Sequence, residues 1–119
     1  MPGAGPVICA YNGYTVVALR GELDVCTVAD SVRALTAHAV AGAQIVVDLA
    51  ELAFIDCGSL REVVSVRAQA RQAGGDLALA GPQPLVLRLL LLTGMISRCP
   101  VFTSVHDAVK GSPAALLVP

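Results

Sequence analysis

Tryptophan is absent and aromatic residues make up only 3% of the 119-residue chain. The core must therefore be aliphatic, and stacking platforms for nucleic-acid bases are not available. Paired-cysteine spacing is also missing: Cys9, Cys26, Cys57 and Cys99 form no CxxC, so no metal site is expected and the thiols read as reduced and mostly buried. Neither sign of charge is in excess. A net charge of -1 and a pI near 6.0, with arginines scattered along the chain, leave no basic footprint for direct nucleic-acid binding. No apolar run approaches the roughly 18 residues that a spanning helix needs. The opening MPGAGPVICAYNG has no basic residue ahead of its short apolar stretch, unlike a secretory signal. A cytoplasmic protein without membrane attachment is expected. No G-x-S-x-G elbow is present and His38 and His106 stand alone, as surface or edge histidines, so hydrolase chemistry is set aside.

What is present is a 55% hydrophobic composition with a mean hydropathy of +0.73. The apolar residues are mostly Ala, Val and Leu, interrupted throughout by charges or glycine. The length fits one domain: residues 1–119, with a core at about 7–110 and residues 111–119 as a C-terminal extension.

Val7 to Ala10 and Tyr14 to Arg20 are strand-forming runs separated by Tyr11-Asn12-Gly13, and Asn-Gly signals a hairpin. Gly21 to Asp24 is expected to break the strand. From Cys26 to Ala41 a stripe of Val28, Val32, Leu35 and Ala39 predicts a helix, with Thr27 as its cap and Asp30 three residues later. Gln44 to Leu49 reads as a buried strand, parallel to an earlier one because a helix intervenes. After a loop, Leu60, Val63 and Val64 mark the core stripe of a second helix that ends at Gly74-Gly75. Glu62, Ser65, Gln69 and Gln72 form its polar face, with Arg67 and Arg71 at the edge of the apolar stripe. Asp76 to Ala80 is a strand, Leu85 to Leu92 a helix apolar on nearly every side except Arg88, Val101-Phe102 an edge strand, and Val105 to Lys110 a last helix capped by Ser104. Strand and helix alternate, which gives an α/β domain.

The stretch ELAFIDCGSLREVV, residues 51–64, stands out. Ala53-Phe54-Ile55 reads as a short buried strand end, and Asp56, Cys57, Gly58 and Ser59 lead directly into a helix. Such a loop has free backbone amides in a position fixed by its flanking elements, so function is expected here.

GELD (Gly21 to Asp24), VVDLAELAFID (Val46 to Asp56), the helix ending in AGG (Ala73 to Gly75), LALAGP (Leu77 to Pro82), LLLLTGM (Leu89 to Met95) and VFTSVHDAV (Val101 to Val109) occur in this order. Over about Val7 to Val109 the chain resembles the STAS family, and within it the bacterial anti-sigma factor antagonists. The resemblance implies a mixed four- to five-stranded sheet with about four helices packed mainly on one face. It also implies a module without catalytic residues or cofactors, which binds an anti-sigma factor serine kinase and so frees a sigma factor. The implied switch is phosphorylation of a serine in an Asp-Ser-Ser-Gly-Leu loop. Glu22, Asp24, Asp56, Cys57, Gly58, Ser59 and Leu60 are then the candidate partner-binding residues, on a monomer or weak homodimer.

With Asp56 and Leu60 aligned to that loop, Cys57, Gly58 and Ser59 stand where the family has Ser, Ser and Gly. The acceptor position is Gly58, and the loop's one hydroxyl is on Ser59. Ser59 is thus either a displaced phospho-acceptor or a helix cap. In the second case the chain is a constitutive antagonist, or a STAS scaffold or sensor module not regulated by phosphorylation. Cys57 is either a redox sensor at a helix N-terminus or a small packed residue, and a Cys57–Cys99 pairing stays open because sequence carries no geometry.

Overall fold

Five strands lie in sequence order across one sheet, and the reasons are local. The computed structural model describes residues 5–117. Strand β1 (Val7–Tyr11) turns through Asn12 and Gly13, both with positive φ, into β2 (Tyr14–Leu23), giving the expected antiparallel hairpin. Helix α1 (Val28–Val40) leads to β3 (Gln44–Ile55), α2 (Cys57–Gln72) to β4 (Asp76–Ala80), and α3 (Pro84–Thr93) with a short 3-10 turn to β5 (Val101–Phe102). Each connection through a helix returns the chain parallel to its predecessor, so β2 to β5 are parallel and only β1 runs against them. The sheet is mixed and five-stranded, as expected.

Its two faces are covered unequally. Val17, Leu19, Val47, Leu49 and Leu79 face a core closed by Leu35 and Ala39 of α1, Leu60, Val63 and Ala70 of α2, and Val86 and Leu90 of α3. On the other face a smaller cluster joins Val16, Val46, Ala80 and Phe102 to Ala108 of α4 (Val105–Lys110). Ser104 caps α4 as expected, accepting from the Asp107 amide at 3.1 Å.

Several expectations change. Gly21 to Asp24 does not break β2: the strand continues to Leu23 by absorbing register shifts between Ala18 and Arg20 and between Gly21 and Glu22. β3 is one strand of 12 residues. Its pairing with β4 ends at Asp48, so its far end is held by β2 alone and Ala53 and Phe54 are exposed. Thr27 precedes α1 but makes no capping bond there; Asp24 instead accepts from the Cys26 and Thr27 amides at 2.9 and 3.1 Å. The segment after Lys110 is not a bare extension. A 3-10 turn at Pro113–Ala115 brings Leu116 into an antiparallel bridge with Phe102; residues 118–119 lie outside the described part of the chain.

Candidate functional site

β2 and β3 end side by side, Leu23 opposite Ile55, and the Asp56 amide donates to the Leu23 carbonyl at 3.2 Å. This pairing brings together the two candidate segments, Glu22 to Asp24 and Asp56 to Leu60. Glu22 sits opposite Phe54, and both Glu22 and Asp24 are exposed. Asp24 is engaged in shaping the turn into α1, so Glu22 is the freer of the two.

Asp56 is the cap of α2. Its extended backbone points the carboxylate back over the first turn, where Oδ1 accepts from the Ser59 amide at 2.7 Å. The Ser59 hydroxyl also lies beside this carboxylate, without the alignment of a hydrogen bond. Hydroxyl and amide together hold the Asp56 carboxyl below its ordinary value, opposed by partial desolvation and helped by the Val25 amide. The carboxylate is charged at neutral pH and aimed at the positive end of the helix.

Two candidates for partner contact do not present their side chains. Leu60 is fully buried in the main core, because it starts the apolar stripe that holds α2 to the sheet. Ser59 is 1% exposed and its hydroxyl has no hydrogen-bond partner. The side-chain cap of α2 is Asp56 and not Ser59, whose hydroxyl is buried. Gly58, by contrast, is exposed, and a Cβ built there meets only Asp56 Oδ1 at 3.9 Å. Cys57 is half-buried, packed against the main core, with its sulfur 3.9 Å from Arg61 Nη2.

The four cysteines are free, but against the expectation of mostly buried thiols Cys9 and Cys26 are exposed and Cys57 is half-buried. Cys99 is buried, its thiol is pushed up to about 12 by burial, and it donates weakly to the Val64 carbonyl at 3.9 Å. Among the described residues no group of three His, Cys, Asp or Glu side chains could hold a metal ion, and no helix is long and apolar enough to cross a membrane. His106 lies against Tyr11, Nδ1 to hydroxyl 3.0 Å, and His38 in the last turn of α1.

Sequence reasoning missed the apolar neighbour of the loop. Phe54 and Ile55 line a groove of about 130 Å³ together with Leu85, Val86, Arg88, Leu89 and Leu92 of α3. Phe54, Leu85 and Leu92 are 43%, 55% and 78% exposed. Gln83 fixes α3 there by donating to the Ala50 carbonyl at 2.8 Å. The signal was present: a helix apolar on nearly every side has more apolar surface than one sheet face can cover.

The STAS domain family model matches residues 6–108, and the chain belongs to this family. An "Anti-sigma F factor antagonist" from Paenibacillus polymyxa is 31% identical over 102 residues, covering 83% of this chain and 86% of the relative. A "Putative anti-sigma factor antagonist BtrV" from Bordetella bronchiseptica is 29% identical over 106 residues, covering 88% and 91%. An anti-sigma factor antagonist from Mycobacterium paratuberculosis superposes with a TM-score of 0.81 at 21% identity, covering 89% of this chain and 91% of that one. At this identity the superposition establishes the shared fold, and the five-stranded mixed sheet with four helices is that fold.

Proposed function

We propose that this chain is an anti-sigma factor antagonist, a binding module rather than an enzyme, acting in the cytoplasm. It binds an anti-sigma factor that is also a serine kinase, and thereby releases a sigma factor. The observation that carries this reading is one continuous face at the end of β2 and β3. Exposed Glu22 and Gly58 surround a charged helix cap, and the apolar groove of Phe54, Leu85 and Leu92 lies alongside. An apolar centre with a polar rim is what a protein interface requires, and the names of the curated relatives support an anti-sigma factor as the partner.

The buried Ser59 hydroxyl supports an antagonist that is not switched at this serine in its folded state. A kinase reaches an acceptor only when the hydroxyl is presented to it, and presenting Ser59 would mean opening the first turn of α2. The test is capture with purified anti-sigma factors from the same genome, followed by incubation of any binding kinase with ATP and mass spectrometry. Binding without phosphate on Ser59 is expected; absence of binding to every such factor overturns the reading.

A further inference from the structure

The two edges of the sheet are finished differently. Beyond β5, Leu116 bridges to Phe102 and the Leu117 amide donates to the Val101 carbonyl at 2.6 Å. Among the described residues β1 has only β2 beside it, and Val7, Ile8, Cys9 and Ala10 are all exposed. The strand VICAY carries no charge, proline or bulge, the devices that normally protect a sheet edge from pairing.

The hairpin determines which backbone groups face outward. Tyr11 and Tyr14 flank a two-residue turn with φ of 49° at Asn12 and 84° at Gly13, so they form the hydrogen-bonded pair that closes the turn. Alternation along an antiparallel ladder then makes Cys9 with Val16 and Val7 with Ala18 hydrogen-bonded pairs as well. The amides and carbonyls of Ile8 and Ala10 therefore point away from β2. The next outward position on one side is Pro6, which has no N–H; on the other it is Asn12, inside the turn.

A second copy of β1 satisfies these groups in one antiparallel register. With Cys9 opposite Cys9, Ile8 and Ala10 of each chain exchange hydrogen bonds with Ala10 and Ile8 of the other, and Val7 faces Tyr11. Centring the pair on Ile8 instead sets Ala10 against Pro6, and centring it on Ala10 sets Ile8 against Asn12. We infer that β1 pairs with β1 of a second copy through this register, joining two five-stranded sheets into one of ten strands. A single strand pair falls short of the roughly 1,000 Å² of a stable interface, so the dimer is weak and concentration-dependent. The surface is separate from the anti-sigma face, because β1 pairs with β2 only as far as Ala18, away from its Leu23 end.

The register places Cys9 opposite its copy in a non-hydrogen-bonded pair, with Cα atoms about 4.5 Å apart, inside the disulfide range. The test uses the full chain in sedimentation velocity and in oxidation by diamide, which takes up the two thiol hydrogens as two sulfurs join. The expected result is a concentration-dependent dimer and a cross-linked band that is lost in Cys9→Ser but kept in Cys26→Ser, Cys26 being the other exposed thiol. Ile8→Lys alone and Ala10→Glu alone should each sediment as monomers, and mixing the two should restore a dimer, because position 8 of one copy faces position 10 of the other. Thermal melts identify any variant that fails to fold; if either does, wild-type sedimentation and the Cys9 cross-link decide. A monomer at every concentration overturns the inference. So does a dimer whose cross-link runs through Cys26, or one that survives Ile8→Lys in the folded protein.

Discussion

The Ser59 amide donates to the Asp56 carboxylate at 2.7 Å while the Ser59 hydroxyl is buried without a partner. One residue thus completes the cap through its backbone and keeps its side chain buried. The capping bond makes stability depend on pH. The Asp56 carboxyl lies below its ordinary value in the folded chain, so the bond's contribution is fully present above the unfolded value of about 4 and fades as pH falls through the folded one. Asp56→Asn, which keeps an acceptor without the charge, should make the fall in melting temperature below pH 4 shallower. Asp76 and Asp107 are lowered too, so the slope should shrink without vanishing. Melts of wild type and variant across pH 2.5–7 check this.

Gly58 is the accessible position in the first turn of α2, which starts directly after Asp56 with no loop between, and a Cβ there meets no obstacle. Gly58→Ser should fold, with a gain of about 0.5 kcal/mol from replacing glycine in the first turn of a helix. On the proposed function it should also accept phosphate from the proposed partner kinase and lose binding as it does so, since a charge of about -1.5 to -2 then sits in the proposed interface. Ser59→Ala removes a buried hydroxyl that has no aligned hydrogen-bond partner but lies beside the Asp56 carboxylate, and these opposed effects should keep the change in stability within about 1 kcal/mol. Intact-mass spectra after kinase treatment and urea melts measure the two effects.

Element order, hairpin, parallel pairing and the helix stripes were legible in the sequence because they rest on local periodicity and turn chemistry. Asn12-Gly13, Leu60 with Val63, and Ser104 with Asp107 each behave as their spacing predicts. What was not legible depended on neighbours. Phe54 lies in an apolar run and yet is exposed, because β4 stops at Ala80 and among the described residues no strand flanks that end of β3 on its far side. Thr27 and Asp24 are equally good capping residues by type, and only the path of the turn after Leu23 gives the amides to Asp24. For Ser59, one residue of offset from Gly58 changes an exposed position into a buried one. That follows from about 100° of rotation per residue once the cap residue is fixed.

Phe54 and Leu92 lie outside the core, so changing them should separate binding from folding. Phe54→Asp or Leu92→Asp should weaken capture of the anti-sigma factor by at least tenfold, the cost of losing an apolar anchor of an interface. The melting temperature should move little, since each side chain is already 43% and 78% exposed. Titration calorimetry with the partner and thermal melts of the free chain give both readings. Equal binding by wild type and both variants would remove the groove from the interface.

Gly42 and Gly75 mark a place where two chain turns touch backbone to backbone. A Cβ on Gly75 would fall 2.1 Å from the Ala43 carbonyl oxygen, and one on Gly42 would fall 2.7 Å from the Ala73 carbonyl oxygen. These obstacles are main chain and cannot rotate away. Gly75→Ala should therefore cost about 3 kcal/mol or more, whereas Gly58→Ala, in open space, should cost nothing. Urea denaturation of the two variants side by side checks the contrast.

Arg67 ties three segments together: Nε donates to Asp76 Oδ1 at 2.8 Å at the start of β4, and Nη1 donates to the Arg98 carbonyl at 3.0 Å before β5. Burial pushes the Asp76 carboxyl up, but the Arg67 guanidinium, the Leu77 amide and the nearby Arg71 charge together bring it below its ordinary value. The pair is partly exposed, so solvent screening reduces its contribution. Arg67→Met, which keeps the packed stem, should cost about 1–2 kcal/mol at pH 7. Because the folded Asp76 pKa is depressed, that difference is present above pH 4 and should narrow as pH falls toward 3. Wild type and variant converging at acid pH in urea melts is the expected outcome. A difference that persists unchanged at pH 3 would mean that Arg67 acts through packing of its stem and its bond to Arg98 instead of through its charge.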